Sequence, residues 1–283
     1  MKIMITGVTG QLGYDIYREL ISRGYDKNDI YAPAHSDLDI VNKEDVLTKV
    51  KAFNPDIIFH CAAYTAVDKA EEEKDLCNAI NAVGTENIVD AASITNAKVV
   101  YISTDYIFDG KKEGLYETYD ESNPVNVYGL SKLNGENIVK GYDKHFIVRI
   151  SWVFGENGKN FIKTMLKLSE THDELNVVSD QEGSPTYTAD LAPLLVNMAN
   201  TSLYGTYHAT NRGFITWYEL AKMTFKIAGK EVKVNPILTK DYKTLAKRPL
   251  NSKLSKTSLV EAGFELLPEV EDAVKRYVKI INK

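Results

Sequence analysis

Short apolar runs rich in β-branched residues alternate with longer helical patterns through the first 155 residues of the chain. The apolar runs have hydrophobic residues at consecutive positions, which is typical of strands buried on both faces of a parallel sheet. Each connection is long enough for a right-handed helical crossover. The pattern predicts an α/β fold with a doubly wound, Rossmann-type parallel sheet. The predicted strands are residues 2–6, 30–33, 56–61, 98–103 and 146–153, and the predicted helices are residues 11–23, 43–52, 75–95 and 127–139.

After about residue 155 the alternation becomes less regular, and glycine and proline interrupt it more often. We expect residues 1–155 to form a dinucleotide-binding domain and residues 156–283 to form mainly a smaller C-terminal substrate lobe. Residues 187–212 are candidates for rejoining the Rossmann sheet. No Ser/Gly-rich linker separates the two parts, so they are expected to share one interface. The helices predicted here are 160–168, 188–199, 217–228 and 269–280, and the extended pieces are 175–179, 206–210 and 232–236.

Composition and charge narrow the class of protein. The 283 residues include 34 Lys+Arg and 39 Asp+Glu, a formal net charge of −5, and 44% are hydrophobic, as in an ordinary globular protein. The mild acidity argues against a nucleic-acid partner, and no apolar stretch is long enough to predict a membrane span. Cys61 and Cys77 lack the spacing of metal ligands. They are expected to be free thiols in a reducing compartment, the cytoplasm.

The turn after the first predicted strand carries Gly7, Gly10 and Gly13 in a GxxGxxG spacing. The first two glycines would let the backbone turn tightly and approach a pyrophosphate, and Gly13 would let the following helix pack closely on the strand. The helix N-terminus would offer N–H groups and a positive dipole end to the phosphates. The position between a strand and a helix therefore predicts binding of a nicotinamide dinucleotide. The alternative is a glycine-rich turn without a ligand.

The segment after the second predicted strand leaves the choice of cofactor open. NAD-binding proteins usually place an acidic residue about 20 residues after the glycine turn, where it holds the ribose. Residues 34–37 offer no unambiguous acid and no arginine for a 2′-phosphate, so NADH and NADPH are both compatible with the sequence. Asp39 and Ile40 could flank an adenine, and Asp39 could equally be a loop or capping residue.

Tyr128 and Lys132 form a YxxxK pair within a predicted helix. This spacing places both side chains on one helix face, where the ammonium would lower the pKa of the tyrosine toward the working pH. Such a tyrosine can donate or accept a proton at a carbonyl or alcohol oxygen. Thr104 follows the fourth strand, at the edge where α/β sheets bind ligands, and is expected to hydrogen-bond the reacting oxygen. Alternatively, Thr104 only caps the loop.

Six short sequence motifs, in a fixed order along the chain, resemble those of a known family. With the glycine turn, they resemble the extended short-chain dehydrogenase/reductase superfamily and, within it, the dTDP-4-dehydrorhamnose reductase family. The resemblance extends over nearly the whole chain, from residue 6 to residue 252. The blocks are HCAAYTAVDKAE at 60–71, STDYIFDG at 103–110, NVYGLSK at 126–132, RISWVFG at 149–155, DQEGSPT at 180–186 and RPLNS at 248–252.

The resemblance implies the last step of dTDP-L-rhamnose synthesis, in which a nicotinamide delivers a hydride to C4 of dTDP-4-dehydro-L-rhamnose. It implies that Tyr128 protonates the developing alkoxide, that Thr104 polarises the carbonyl and that Lys132 assists Tyr128 and binds the nicotinamide ribose. The cofactor residues that it implies are Gly10, Gln11, Leu12, Asp39, Ile40, Ala62, Ala63, Tyr64, Thr65, Tyr128 and Lys132. The sugar residues that it implies are Thr104, Asp105, Tyr128 and Trp152, with Asn160 and Arg248 as further candidates near the nucleotide.

Several of these residues also have a purely structural interpretation. Trp152 could belong to the core between the lobes, although an aromatic face suits the apolar side of a deoxysugar. Asn160 could simply begin a helix, and Asp105 could cap its loop. Arg248 could grip a diphosphate bidentately or lie on the surface. His60, on a buried strand, is expected to be a hydrogen-bonded core residue.

Metal binding and association are less defined by the resemblance. Some family members bridge two subunits with Mg²⁺ held by carboxylates, for which Asp15 and Asp190 are the candidates here. No third ligand is identifiable, so no metal is expected and a homodimer stays open.

Two rival functions are weaker. A nucleotide-sugar dehydratase would have a glutamate at the position of Tyr106, and an epimerase lacks this Thr-Asp-Tyr block. A non-catalytic subunit of the same fold would not require Thr104, Tyr128 and Lys132 together. A reductase of another nucleotide-linked 4-ketosugar stays open.

Overall fold

The computed structural model describes residues 1–282. No helix in this range combines the length and the apolar character needed to cross a membrane. The strands are β1 (Ile3–Thr6), β2 (Ile30–Tyr31), β3 (Ile57–His60), β4 (Lys98–Thr104), β5 (His145–Ile150), β6 (Val153–Phe154), β7 (Glu174–Val178), β8 (Glu182–Gly183), β9 (Thr186–Tyr187), β10 (Gly205–His208), β11 (Ile215–Thr216), β12 (Lys233–Ile237) and β13 (Asn251–Ser252). The helices are α1 (Gln11–Ser22), α2 (Lys43–Phe53), α3 (Val67–Ala70), α4 (Lys74–Asn78), α5 (Gly84–Thr95), α6 (Val127–Lys140), α7 (Phe161–Leu168), α8 (Thr188–Ala199), α9 (Trp217–Ala228), α10 (Thr257–Glu261) and α11 (Val270–Ile281).

Six strands form one parallel sheet in the order β10-β5-β4-β3-β1-β2. Successive side chains of a strand point to opposite faces. Phe59 and Val148 therefore pack in the core that includes residues of α1 and α8. Ile58 and Ile147 pack in the core that includes residues of α2 and α5. Helices thus cover both faces of the sheet, and the predicted doubly wound fold is confirmed.

The remaining strands form three small sheets beside the large one. β8 pairs with β11 and β13, β7 pairs with β12, and β6 pairs with β9. Helix α8 and strand β10 both fall within residues 187–212, and β10 pairs with β5 as the edge strand of the six-stranded sheet. The lobe boundary at residues 155 and 156 stays a prediction, and Lys283 lies outside the described residues.

The predicted helix at 75–95 is divided into three parts. Residues Ala79–Val83 form a π-helical segment between α4 and α5. Asn81, inside this segment, donates from Nδ2 to the main-chain oxygen of Tyr64 (3.1 Å) and to Oγ of Ser131 (2.9 Å). Such bulges commonly accompany functional sites.

The predicted strand at 146–153 is wrong beyond Ile150. Trp152 has a φ of +49°, which breaks the extended conformation, and the chain then leaves the large sheet to pair as β6 with β9. Thr186 Oγ1 donates to the main-chain oxygen of Ser151 (2.7 Å) and holds this corner. The hydrophobic run at 146–153 therefore extends beyond Ile150, where β5 ends.

Candidate active site

A cavity of about 560 Å³ opens at the carboxyl ends of β1, β3, β4 and β5, where open α/β sheets bind ligands. It gathers most of the predicted site residues, although they come from distant parts of the chain. The predicted residues that line it are Gly7, Gly10, Gln11, Leu12, Gly13, Asp39, Ile40, Ala62, Ala63, Thr65, Thr104, Asp105, Tyr128, Lys132 and Trp152.

The glycine turn has no room for side chains at two of its positions. Gly7 has a φ of +69°, and a Cβ there would lie 2.7 Å from the main-chain nitrogen of Ala62. A Cβ on Gly13 would lie 2.4 Å from the main-chain oxygen of Gly7. Within residues 1–282, no side chain caps the N-terminus of α1, whose first residues line the cavity. The turn therefore fits a dinucleotide diphosphate, because backbone N–H groups and the helix dipole can approach its oxygens.

Of the other predicted cofactor residues, the structure places Asp39 and Ile40 in the cavity lining but not Tyr64. Asp39 and Ile40 both line the cavity, and Asp39 also accepts a hydrogen bond from the main-chain nitrogen of Val41 (3.0 Å). The two interpretations of Asp39 are therefore compatible. Tyr64 does not line the cavity, since its hydroxyl donates to Glu73 (2.5 Å) on the outside. The main-chain nitrogen of Tyr64 donates to Oδ1 of Asn81 (2.8 Å), so both the backbone and the hydroxyl of this residue are held by protein partners.

The predicted catalytic pair, Tyr128 and Lys132, lies near the start of α6. Asn126 caps this helix by accepting from the main-chain nitrogen of Gly129 (2.7 Å) and also donates to the main-chain oxygen of Lys247 (2.7 Å). Tyr128 and Lys132 share one helix face and line the cavity. Lys132 is 3% exposed, and its Nζ lies 4.0 Å from the centre of the Tyr101 ring. Burial lowers the pKa of Lys132 to about 7.

The expected lowering of the Tyr128 pKa is wrong for this structure. Burial raises the pKa of Tyr128, and the neighbouring Thr104 hydroxyl acts in the opposite direction without cancelling it. The physical reason is that a dry cavity wall disfavours the phenolate, while the same burial weakens the charge of Lys132. The neutral phenol is the form that can donate a proton, so this direction suits a reductase.

Thr104 and Asp105 occupy the turn that follows β4. Thr104 Oγ1 donates to Oδ1 of Asp105 (3.0 Å) and accepts from the main-chain nitrogen of Tyr106 (3.2 Å). Thr104 therefore caps the turn and also lines the cavity. Asp105 is 2% exposed, and burial raises its pKa to about 6, although the hydroxyls of Ser252 and Thr104 act against this rise.

Trp152 lines the cavity from a strained corner. Positive φ in a bulky residue costs on the order of 1–3 kcal/mol and persists only where surrounding contacts impose it. The indole stacks on that of Trp217, with ring centres 3.7 Å apart and planes 11° from parallel. Trp152 thus packs against the start of α9 and also lines the cavity. The sequence motifs contain no signal for Trp217, because it lies at the start of α9, far from every block.

Two predicted substrate residues are not brought to the cavity. Asn160 caps α7 and donates from Nδ2 to Gln11 Oε1 (3.0 Å) and to the hydroxyl of Tyr277 (2.7 Å). Its polar atoms are occupied, so the structural interpretation applies. Arg248 forms a bidentate ion pair with Asp68, at 2.6 and 3.1 Å, and does not line the cavity.

The buried ion pair that anchors α6 was not predicted from the sequence. Glu136 lies one turn after Lys132 and accepts from Nε and Nη2 of Arg149, both at 2.9 Å. Both side chains are almost fully buried and join α6 to β5. Two charged residues within apolar elements were the available signal, because a buried charge requires a partner.

His60 and the candidate metal ligands have protein partners. His60 lies within hydrogen-bond distance of the Thr6 hydroxyl (2.8 Å) and the Thr85 hydroxyl (3.1 Å), and burial lowers its pKa to about 3. It is the core residue that we expected. Asp15 accepts from Thr188, and Asp190 pairs with Arg276 (2.8 Å). Within residues 1–282, no group of three or more His, Cys, Asp or Glu side chains is arranged to hold a metal ion.

Comparisons with known proteins agree with this geometry. The family described as RmlD substrate binding domain matches residues 1–282. The dTDP-4-dehydrorhamnose reductase of Aggregatibacter actinomycetemcomitans is 40% identical over 274 residues, which cover 92% of each chain. A solved dTDP-4-dehydrorhamnose reductase from Clostridium acetobutylicum has a TM-score of 0.97 and 41% identity over 100% of both chains. The Bacillus anthracis dTDP-4-dehydrorhamnose reductase in complex with NADP has a TM-score of 0.95 and 43% identity, again over 100% of both chains.

Proposed function

We propose that the chain, which belongs to the RmlD substrate binding domain family, reduces the C4 ketone of dTDP-4-dehydro-L-rhamnose to dTDP-L-rhamnose. The observation that carries the proposal is the meeting of Thr104, Tyr128 and Lys132 with an uncapped glycine turn on one cavity. The printed name of the similar Aggregatibacter protein supports the choice of substrate.

NADPH is the cofactor that we propose, since the similar Bacillus anthracis protein holds NADP. The diphosphate would lie against Gly7, Gly10 and the first residues of α1, including Gln11 and Leu12. Asp39 and Ile40 would flank the adenosine, and Lys132 would bind the nicotinamide ribose. When bound, the reduced nicotinamide supplies the hydride for C4.

The protein side of the reaction consists of orientation and proton donation. Thr104 would turn the hydroxyl proton that it donates to Asp105 toward the ketone oxygen and hold that oxygen beside the Tyr128 hydroxyl. Tyr128 would donate its proton to that oxygen as the alcohol forms, which its raised pKa permits at neutral pH. Lys132 would then stabilise the resulting phenolate until a solvent proton restores it.

The sugar half of the site would combine one aromatic surface with one carboxylate. Trp152 would contact the apolar side of the deoxysugar ring, and Asp105 would accept from a sugar hydroxyl. Arg248 would exchange its contact with Asp68 for the diphosphate of the nucleotide. Trp152 and Asp105 line the cavity, whereas Arg248 lies outside its lining and would have to move away from Asp68 to reach the nucleotide.

The test is oxidation of NADPH in the presence of dTDP-4-dehydro-6-deoxyglucose, with and without a 3,5-epimerase. We expect loss of the ultraviolet absorbance of the reduced nicotinamide only when the epimerase supplies the L-sugar, with dTDP-L-rhamnose as the product. Binding of NADPH without oxidation would overturn the proposed reaction. It would favour another 4-ketosugar or a non-catalytic role.

Location and association are further proposals. We infer a cytoplasmic location from Cys61 and Cys77, which are free thiols. Burial raises the pKa of Cys61 to about 12 and thereby keeps its thiol protonated. A homodimer stays a prediction, which sedimentation velocity would check.

A further inference from the structure

The chain contains only two tryptophans, Trp152 and Trp217, and the fold stacks them on each other. Their ring centres are 3.7 Å apart and their planes are nearly parallel. Trp152 lines the cavity, whereas Trp217 does not. Trp217 therefore covers one face of the Trp152 indole, and a ligand can use only the remaining face and edge.

Trp217 is itself held in place by a polar chain. Its Nε1 donates to Oε1 of Gln181 (3.1 Å), and Nε2 of Gln181 donates to Oγ1 of Thr239 (3.1 Å). Gln181 is 5% exposed, so these bonds lie out of water. The ring of Phe161 packs against Trp217 at 4.7 Å between ring centres. The indole of Trp217 is thus fixed by a hydrogen bond at its edge and by packing at its face.

A glycine leaves the space that the Trp152 ring needs. A Cβ on Gly183 would lie 2.9 Å from Cε2 of Trp152 and 3.0 Å from Cβ of Ser252. The Trp152 backbone, at a φ of +49°, has no regular strand to keep its side chain in place. The orientation of this indole therefore depends on Trp217 on its face and on Gly183 at its edge.

We propose that Trp217 is a positioning residue that sets the angle of the Trp152 indole toward the sugar and thereby contributes to binding of the 6-deoxysugar. This inference builds on the proposed function, because it assumes that a nucleotide-linked deoxysugar lies against Trp152. An indole contacts the apolar face of a sugar ring best when the two planes are aligned, and the contact area falls when the indole is tilted. Trp217 would act through Trp152 without touching the substrate, so it would affect sugar binding more than the chemical step.

The experiment compares three variants of the full chain with saturating NADPH and varied sugar. Trp217→Leu removes the stack, Trp217→Phe keeps an aromatic face, and Phe161→Leu loosens the same cluster while leaving both indoles. We expect Trp217→Leu to raise the sugar KM about tenfold with a smaller change in kcat. Trp217→Phe is expected to restore a KM within about twofold of the wild type. Phe161→Leu should lower the melting temperature and change the KM by less than about twofold, because the hydrogen bond to Gln181 and the stack on Trp152 still hold Trp217.

Because the chain has two tryptophans, circular dichroism can detect their stack directly. Closely stacked indoles should give an exciton couplet in the far-ultraviolet circular dichroism spectrum, which both Trp217 variants would lose and Phe161→Leu would keep. In Trp217→Phe all tryptophan fluorescence comes from Trp152, so titration with dTDP-L-rhamnose in the presence of NADP⁺ measures contact at that ring. The NADPH dissociation constant should be the same in all variants. If Trp217→Leu does not fold, Gln181→Leu removes the hydrogen bonds to Trp217 and Thr239 while leaving both indoles, and it is expected to raise the KM about threefold.

The outcomes separate the two proposals. An unchanged sugar KM in folded Trp217→Leu, or an equal rise in Phe161→Leu, would overturn the positioning role while wild-type turnover upheld the proposed function. Wild-type protein that neither reduces the ketosugar nor binds dTDP-L-rhamnose would overturn the proposed function, and the positioning role with it. A wild-type spectrum without the couplet would contradict the stack itself.

Discussion

The half of the cavity proposed for the cofactor and the half proposed for the sugar are built in different ways. The cofactor half consists of backbone at strand ends and of a glycine turn in which an added Cβ at Gly7 or Gly13 would collide with main-chain atoms. The half proposed for the sugar depends on side chains, with Trp152 and Asp105 in the cavity lining. Trp217 stacks behind Trp152, and Arg248 lies outside the lining, so these side chains come from separate parts of the chain. Ligand recognition by main-chain groups is therefore encoded in short motifs, whereas ligand recognition by side chains depends on which segments the fold brings together.

The largest effect should come from the group that joins both halves, Tyr128. Tyr128→Phe keeps the ring but removes the only hydroxyl proposed to give a proton to the ketone. We expect kcat to fall by about 10²–10⁴, with the NADPH dissociation constant unchanged. Stopped-flow or steady-state oxidation of NADPH measures the first quantity, and fluorescence titration of NADPH measures the second. Wild-type turnover in the Phe variant would exclude this mechanism.

A matched pair of glycines tests the backbone nature of the cofactor half. Gly7 and Gly24 both have positive φ, at +69° and +83°. Only Gly7 is also crowded, because no non-neighbouring atom within residues 1–282 lies within 4 Å of a Cβ added to Gly24. Gly7→Ala should therefore weaken NADPH binding at least about tenfold, whereas Gly24→Ala should carry only the backbone strain. Equal NADPH affinities in the two folded variants would argue against close approach of the diphosphate to this turn.

The pH dependence of sugar binding should report on Asp105. Burial raises its pKa to about 6, so the carboxylate is present above that pH and is protonated below it. If the carboxylate accepts from a sugar hydroxyl, the sugar KM should rise about tenfold when the pH falls one unit below this pKa. Asp105→Asn should make the KM independent of pH over the same interval. A pH profile that persists in the Asn variant would assign the titration to another group.

The smallest expected effect concerns Arg248. Arg248→Gln removes the guanidinium that would leave Asp68 for the nucleotide diphosphate, and we expect a rise in the sugar KM of about fivefold at most. Asp68→Asn is the matched control, because it releases Arg248 from its ion pair without removing it. A KM that rises in Asp68→Asn as much as in Arg248→Gln would mean that the ion pair only stabilises the fold.

Much of the fold and part of the site were predictable from residue patterns. The strand cores, the helices of the first half and the glycine turn follow from local periodicity and from the steric demands of glycine. The family resemblance was confirmed by the match over residues 1–282. The end of the fifth strand was not predictable, because the apolar residues of 146–153 continue past the corner at Trp152. The direction of the Tyr128 pKa also depends on burial, which spacing along a helix does not reveal.

Local sequence thus determines what each segment can do, and the tertiary structure determines which segments act together. The YxxxK spacing ensures that Tyr128 and Lys132 share a helix face in any fold that keeps the helix. Other contacts join positions that are distant in the sequence. Trp152 stacks on Trp217, and Arg248 pairs with Asp68. Asn160 donates hydrogen bonds to Gln11 and Tyr277. Periodicity acts over a few residues because it reflects backbone geometry. Contacts between distant segments form only when the whole hydrophobic core packs and water is excluded from the cavity wall.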